Sequence, residues 1–218
     1  MAQTSQPQCG DLLLLKIGNG LAGNAVTFTA SSDLVGLTAH GLAAGDKVKF
    51  ATVVTSTTPV INQEYFVLSS GLTADAFKIA LTDGGTPINI DADGTGTMAE
   101  VFVSMAGMTS NSISGSAEEV DITSKDDSHN KTLLSGCGTK SFSASGEGVF
   151  KDENTFNMAL RVFQAQYLRN FRVYINSAGD YWEGAFKITA LEKTGDHNDA
   201  IRASITLASS GAVVLTRS

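Results

Sequence analysis

Hydrophobic and polar positions alternate along much of this chain with a period of two residues, which is typical of β-strands with two different faces. The clearest example lies in the stretch from Ser112 to Phe150. One face of its second strand carries aromatic and small residues, namely Phe142, Ala144, Gly146, Gly148 and Phe150. The other face is polar and consists of Ser141, Ser143, Ser145 and Glu147. The whole stretch predicts a strand, a charged loop and a second strand.

One segment has a convincing helical pattern. Between Asp152 and Leu168, apolar residues recur at helical spacing and form a single stripe: Phe156, Ala159, Leu160, Phe163 and Tyr167. Asp152 and Glu153 stand at its start, and Arg169 and Arg172 lie just beyond its end, which suits the helix dipole. The sequence therefore predicts one amphipathic helix over residues 152–168.

Strand patterns return after this helix. A short strand around Val173 is followed by a strand over Tyr181–Leu191 and a polar turn over Lys193–Asp199. The last strand has one apolar face, made of Ile201, Ala203, Ile205 and Leu207. The order of strands, one helix and further strands predicts a mainly β protein of the α+β class with an antiparallel sheet.

Residues 21–99 differ from the rest of the chain in composition and in the spacing of their turns. Short runs rich in threonine and valine alternate with glycine and aspartate turns at close intervals, which indicates an all-β unit. It stands between a predicted strand at Leu12–Ile17 and another at Val101–Met105. We therefore expect a discontinuous core domain made of residues 1–20 and 100–218, with a small β-domain inserted at 21–99.

Composition narrows the possible functions. The chain has 218 residues with a net charge of −7, which argues against a protein that neutralises nucleic-acid phosphates with lysine and arginine. The apolar run Leu12–Leu15 is too short for a signal peptide or a membrane span, so we expect synthesis in the cytoplasm and no membrane contact.

Two motifs suggest ligand sites, and neither has the context that its chemistry needs. Gly18–Gly23 has the glycine spacing of a dinucleotide loop, but a β-like segment rather than a helix follows it. Asp91–Gly96 resembles the front of a calcium loop, but position 12 of that loop is Phe102 instead of a glutamate. The three histidines are scattered and form no triad. We expect no cofactor, no metal and no catalytic site.

Several segments, in this order along the chain, resemble the major tail tube proteins of long, non-contractile-tailed (siphovirus-type) bacteriophages. The segments are Gly10–Gly18, Met105–Met108, Ser116–Thr123, Gly146–Phe150, Glu183–Thr189 and Ser209–Val213. The resemblance covers about residues 10–20 and 100–218. Residues 21–99 depart from it, since simpler members join the flanking strands by a short linker.

The resemblance implies an antiparallel β-sandwich or barrel-like core flanked by one helix. It further implies a structural virion protein whose rings, typically hexameric, stack into the tail tube through which the genome is delivered. The implied partners are other copies of the chain and other tail proteins, such as the tape measure, tail terminator and distal tail proteins. DNA would pass through the channel without specific binding. The expected location is the virion tail, after synthesis in the host bacterial cytoplasm.

Two sets of residues become candidate sites under this interpretation. The polar face, Ser141, Ser143, Ser145 and Glu147, is the candidate lining of the channel. The loop between the two strands is the candidate ring-to-ring contact. Its charges would come from Lys125, Asp126, Asp127 and Lys131, and its apolar anchor from Leu133 and Leu134.

A second hypothesis gives the inserted β-domain the leading role. In that case residues 21–99 form a binding module that recognises a host surface or a glycan. The change of composition in this region and its high content of turns motivate this alternative.

Overall fold

The structure is a computed structural model that describes residues 14–105, 108–128, 130–149, 153–176, 178–195 and 202–218. In this part of the chain there are fourteen strands and one helix. They are β1 Leu14–Gly18, β2 Ala25–Thr29, β3 Leu34–Gly36, β4 Lys47–Val54, β5 Glu64–Val67, β6 Ala76–Phe77, β7 Ile79–Ala80, β8 Gly94–Ala99, β9 Phe102–Ser104, β10 Met108–Ala117, β11 Lys140–Gly148, α1 Glu153–Ala165, β12 Leu168–Tyr174, β13 Tyr181–Thr194 and β14 Arg202–Thr216. The predicted positions at Leu12, Phe150, Asp152 and Ile201 lie outside the described residues.

The first sheet has seven strands in the order β10-β11-β14-β13-β12-β1-β9, and its neighbouring strands all run antiparallel. Helix α1 packs against one face of it. This arrangement confirms the predicted mainly β fold with one flanking helix. The hairpin of β13 and β14 is its longest element and runs on to Thr194, so the polar turn predicted from Lys193 begins later than expected.

The core of this sheet follows from the two-residue alternation. Side chains at every second position point towards α1, including Leu15, Ile17, Phe171, Phe186 and Leu207, each 1% exposed or less. Phe171 and Phe186 meet edge to face with ring centroids 6.1 Å apart. Burying each such side chain contributes about 1.5–3 kcal/mol, so this face is the main source of stability for the first sheet.

Helix α1 packs on the same core through Met158, Ala159 and Val162. Of the predicted stripe only Ala159 is fully buried, and Phe156 and Leu160 are half-buried, so the buried face is rotated from the predicted one. The helix ends earlier than predicted because Gln166 adopts a left-handed conformation with φ of 54°. The amide of Tyr167 then donates to the carbonyl of Val162 at 3.2 Å, which closes the helix in a Schellman-type turn. Tyr167 is consequently exposed and Leu168 begins β12, so the prediction of a helix up to Leu168 was wrong.

The second sheet also has seven strands, in the order β6-β3-β2-β8-β4-β5-β7, and all of them come from residues 25–99. It encloses a core of its own, in which Phe28 and Phe50 pack edge to face at 5.3 Å and Phe77 is fully buried. The described residues therefore form two sheets with two separate apolar clusters.

The chain enters and leaves the second sheet through two adjacent segments. The amide of Asn19 donates to the carbonyl of Val101 at 3.0 Å. The Asn19 side chain, 8% exposed, accepts hydrogen bonds from the amides of Leu21 and Val101 and donates to the carbonyl of Lys47. Glu100, next to Val101, also contacts the first sheet, because its carboxylate accepts a hydrogen bond from the Asn170 side chain of β12 at 2.8 Å. One buried amide side chain thus joins both connecting segments to β4.

The hydrogen bonds of the Asn19 side chain lead to a prediction for its replacement. In Asn19→Ala, two backbone N–H groups lose their acceptor in a buried place, and we expect a loss of about 1–3 kcal/mol in the free energy of unfolding. Urea denaturation followed by circular dichroism measures this change. The matched control is Asn24→Ala, since the Asn24 side chain is exposed. Equal midpoints for Asn19→Ala and the control would contradict the proposed role of Asn19.

Candidate assembly and channel surfaces

The first sheet has a second face, directed away from α1, and the predicted polar residues lie on it. In β11 the burial alternates as expected: Ala144, Gly146 and Gly148 are buried, and the four candidate channel residues Ser141, Ser143, Ser145 and Glu147 are exposed. Phe142 belongs to the core side and packs on Trp182 with ring centroids 5.4 Å apart. The predicted pattern of this strand is therefore observed.

Strand β10 extends the polar face with a row of serines that we did not single out from the sequence. Ser112 lies opposite Ser145 and Ser114 lies opposite Ser143, and each pair is joined through its hydroxyl groups at 2.8 and 2.7 Å. Ser116 lies opposite Ser141. The signal was present, because serines recur at every second position of β10. The pairing register was needed to show that the two rows share one face.

On β10 and β11 the chemistry of this face is that of hydroxyl groups, whereas the exposed Lys187 of β13, opposite Ala208, and Arg202 of β14 lie farther across the same face. Strand β14 continues it on the other side of β11, with Thr206 opposite Ser145 and Ser204 opposite Glu147. On this face β10 contributes every second residue from Ser110 to Ser116, and β11 every second residue from Ser141 to Glu147. Glu147 is the single charged side chain among them. A surface of this kind is hydrated, carries no cation in these two strands and offers no ion pair to a phosphate.

The loop between β10 and β11 is an arm over residues 118–139 with a partial β-ladder of its own. Asp121 bridges Leu133, the amide of Ile122 donates to the carbonyl of Thr132 at 3.0 Å, and the amide of Leu134 donates to the carbonyl of Val120 at 2.9 Å. The arm therefore continues the hairpin beyond the sheet. All six of the loop residues that we predicted to take part in assembly lie on it.

The four predicted charges of the arm have different surroundings. Lys131 forms an ion pair with Glu119 of the same arm at 2.5 Å, and this hydrogen bond raises the pKa of Lys131. The carboxylate of Asp127 accepts from the amide of Ser124 at 2.5 Å, which lowers the pKa of Asp127. Both of these groups hold the arm in its own shape. Lys125 and Asp126 are exposed at its tip.

The two predicted apolar residues of the arm are both exposed, Leu133 at 44% and Leu134 at 42%. Because successive residues of an extended ladder point to opposite sides, they face in opposite directions. Leu134 shares its side with Ile122, which is 48% exposed. The two leucines predicted as one apolar anchor therefore lie on opposite sides of the arm. The side with Leu134 and Ile122 has two exposed apolar side chains, and the side with Leu133 has one.

The two sequence motifs with possible ligands are used for folding. Strand β2 follows the glycines of Gly18–Gly23, as expected from the sequence. The carboxylate of Asp91 accepts hydrogen bonds from Ser56, Thr57 and Thr58, and these bonds hold the pKa of Asp91 well below its usual range. Among the described residues, no three potential metal ligands come together. No helix in the described part of the chain has the length and apolarity to cross a membrane.

An antiparallel sheet with hydroxyl groups on the outer face of β10 and β11 and a projecting arm defines a structural β-protein with surfaces suited to assembly. The sequence profile of the phage tail tube protein family matches residues 88–215. The chain therefore belongs to the phage tail tube protein family. Its role is that of a structural tail tube component, and its location is the virion tail.

The solved structures that resemble this chain include two of gene transfer agent particles. One is the tail of an empty gene transfer agent particle obtained by helical refinement with C6 symmetry, at 37% identity over 53% of this chain and 86% of that chain, with a TM-score of 0.50. The other is the virion of a native gene transfer agent particle, at 37% identity over 53% of this chain and 88% of that one, also with a TM-score of 0.50. No curated protein gives a significant match.

The turn at the tip of the arm leads to a pH prediction. Because the pKa of Asp127 lies below the value of about 3.9 for an unfolded chain, its carboxylate stabilises the turn above about pH 4. This contribution is lost as the pH falls through the lowered pKa. We expect the amide resonance of Ser124 to shift in an NMR titration with a midpoint below about 3.9.

Asp127→Asn should abolish this titration, and Asp126→Asn is the matched control, since the Asp126 carboxylate accepts no hydrogen bond from any described residue. A midpoint in the ordinary range for aspartate, or the same effect from the control, would contradict the assignment.

Proposed function

We propose that this chain forms hexameric rings, and that the rings stack into a tube whose channel delivers the genome. The observation that carries the proposal is the hydroxyl-lined face of β10 and β11 in a member of the tail tube family. The C6 symmetry of the gene transfer agent tail, at 37% identity, supports six subunits in a ring. In this assembly the chain has no enzymatic role.

The part of this face on β10 and β11, where the serine pairs lie, lines the channel in this proposal. DNA carries a dense row of phosphates, and cations on the wall would hold it by releasing its counterions. The serine pairs of β10 and β11 offer neutral, hydrated groups in their place. The apolar face cannot serve as this wall, because α1 and the core cover it. DNA therefore passes without specific binding.

Neighbouring subunits join within a ring through the edges of the first sheet. Strand β10 ends the sheet on one side and β9 ends it on the other. An open strand edge leaves backbone donors and acceptors without partners, and pairing with a neighbour's edge satisfies them. Closure of six sheets into one ring removes all such edges.

The arm over residues 118–139 makes the contact from one ring to the next. Asp127 and Lys131 fix its shape from within, and Lys125 and Asp126 at its tip supply charge for the neighbour. The exposed pair of Leu134 and Ile122 supplies apolar area that is buried on stacking. The ends of the tube contact other tail proteins, including the tail terminator and distal tail proteins, and its channel holds the tape measure protein.

Residues 21–99 form a domain inserted into the tube core and directed outwards in this proposal. The hydrogen bonds between Asn19 and Val101 support it, because they bring both ends of the segment together beside β1. The match to the gene transfer agent chain uses 86% of that chain but only 53% of this one. This difference supports the view that residues 21–99 are an insertion that the gene transfer agent chain lacks. A segment of this size would obstruct a channel, so we place it on the outer surface.

The arm provides the test of assembly. In Leu134→Ser an exposed apolar anchor is lost, and because burying a leucine contributes about 1.5–3 kcal/mol, we expect the critical concentration for tube formation to rise by about tenfold or more. Sedimentation and negative-stain microscopy measure it. The control is Leu81→Ser, a leucine of the second sheet region that is 60% exposed. Tubes that form equally well from both variants would overturn the assignment of the arm.

A second candidate function is host-surface or glycan binding by residues 21–99. Val54 at the end of β4 and Val60 and Ile61 in the loop that follows are each more than half exposed. The backbone of this loop is held in place, since the amide of Val60 donates to the hydroxyl of Tyr65 at 2.7 Å and Asp91 holds the residues before it. An ordered loop with exposed aliphatic side chains is suited to binding.

Adsorption of virions to host cells tests this second candidate. The double variant Val60→Ser, Ile61→Ser should reduce adsorption by about tenfold if each lost side chain contributes about 0.7 kcal/mol. Tube assembly should be unchanged, and Leu81→Ser is again the control. Unchanged adsorption would contradict binding through this loop and leave the inserted segment a structural role.

A further inference from the structure

A shallow depression of about 250 Å³ lies beside the start of β12, and we call it the β12 groove. Leu168 and Ala185 line it, and Leu168 is 47% exposed. Leu168 lies opposite Lys187 in the pairing register, on the face of the first sheet that is directed away from α1. A cavity of about 150 Å³ is enough to hold benzene, so the groove has room for one aliphatic side chain.

The groove and the arm lie at opposite ends of the first sheet. Neighbouring strands run antiparallel, and three strands separate β10 from β12, so these two run in the same direction. Leu168 is the first residue of β12, whereas the arm follows Ala117, the last residue of β10. The arm of one copy therefore meets the groove of another copy head to tail, and a contact of this kind repeats along a stack.

The apolar side of the arm matches the groove. Leu134 and Ile122 are 42% and 48% exposed, close to the value for Leu168. Ile122 lies five residues beyond the end of β10, which puts it about 17 Å from the sheet at about 3.3 Å per residue. At that distance the apolar side of the arm projects beyond its own sheet and is available to another copy. Contact between the two surfaces removes apolar area from water on both.

The charges of the two surfaces are opposite in sign. The arm holds five acidic and two basic residues, a net charge of −3. Lys187 beside Leu168 is exposed and takes part in none of the ion pairs among the described residues. Arg169 at the rim is a second cation, and Glu100 there already accepts a hydrogen bond from Asn170 at 2.8 Å. The rim is therefore net positive, and this complementary charge favours the approach of an acidic arm.

We propose that the β12 groove is the docking site for the arm of a second copy of the chain. Leu134 and Ile122 of the arm pack on Leu168, and Lys187 faces the acidic residues of the arm. This inference rests on the proposed contact of the arm with the next ring, and it names the surface that receives the arm.

Cross-linking between two variants tests the contact directly. Leu134→Cys and Leu168→Cys are made separately in a background of Cys9→Ser and Cys137→Ser, then mixed and treated with a short bis-maleimide. Peptide mass spectrometry identifies the linked positions, and we expect the main link to join positions 134 and 168. In the matched control Leu81→Cys replaces Leu168→Cys, because Leu81 is an exposed leucine outside the first sheet. The control should give background linking only.

A pair of serine variants gives a second measurement. Leu168→Ser should raise the critical concentration for tube formation by about tenfold, as Leu134→Ser does. The two substitutions together should have no more effect than one, because both remove the same contact. Leu133→Ser alters the other side of the arm, so its effect should multiply with that of Leu168→Ser. Circular dichroism checks that the variants are folded, as expected for exposed side chains.

Three results would overturn the groove as the docking site. They are equal linking of position 134 to positions 81 and 168, a main link between two copies of position 134, and independent effects of Leu134→Ser and Leu168→Ser. Negative-stain microscopy of the same samples separates this site from the proposed function. Tubes without the expected link refute the site alone, and the link without tubes refutes the tube alone. A sample with neither refutes both.

Discussion

The two-residue alternation of an antiparallel strand constrains the whole of the first sheet. Each strand must place every second side chain in the core beneath α1, and the residues between them are then obliged to share the other face. In β11 this separates Ala144 from Ser143 and Ser145 by a single peptide unit. The apolar core and the proposed channel wall are consequently two sides of one structure, and a register shift of one residue would exchange them.

The second sheet is inserted between β1 and β9 without disturbing the pairing of the first sheet. Its two connecting segments run side by side, with Asn19 bonded to Val101 through backbone and side chain. Strands β1 and β9 therefore pair in the first sheet as direct neighbours, although about eighty residues separate them in sequence. The ion pair of Arg161 with Asp46 adds a contact between α1 and the second unit.

Features that depend on local periodicity could be predicted from the sequence. The polar face of β11 and the presence of α1 are of this kind. The end of α1 could not be, since its left-handed residue is Gln166 rather than a glycine. The serines of β10 needed the strand register, and the pairing of Lys131 with Glu119 needed the shape of the arm. Contacts between distant parts of the chain carry little signal in a single sequence.

The orientation of the first sheet within the tube is the central claim, and a cryo-electron microscopy reconstruction of assembled tubes tests it most directly. The account predicts that the side chains of Ser112, Ser114, Ser143 and Ser145 face the channel axis, with α1 on the far side of the sheet from the axis. A map in which α1 faces the axis and the serine pairs point outwards would contradict it.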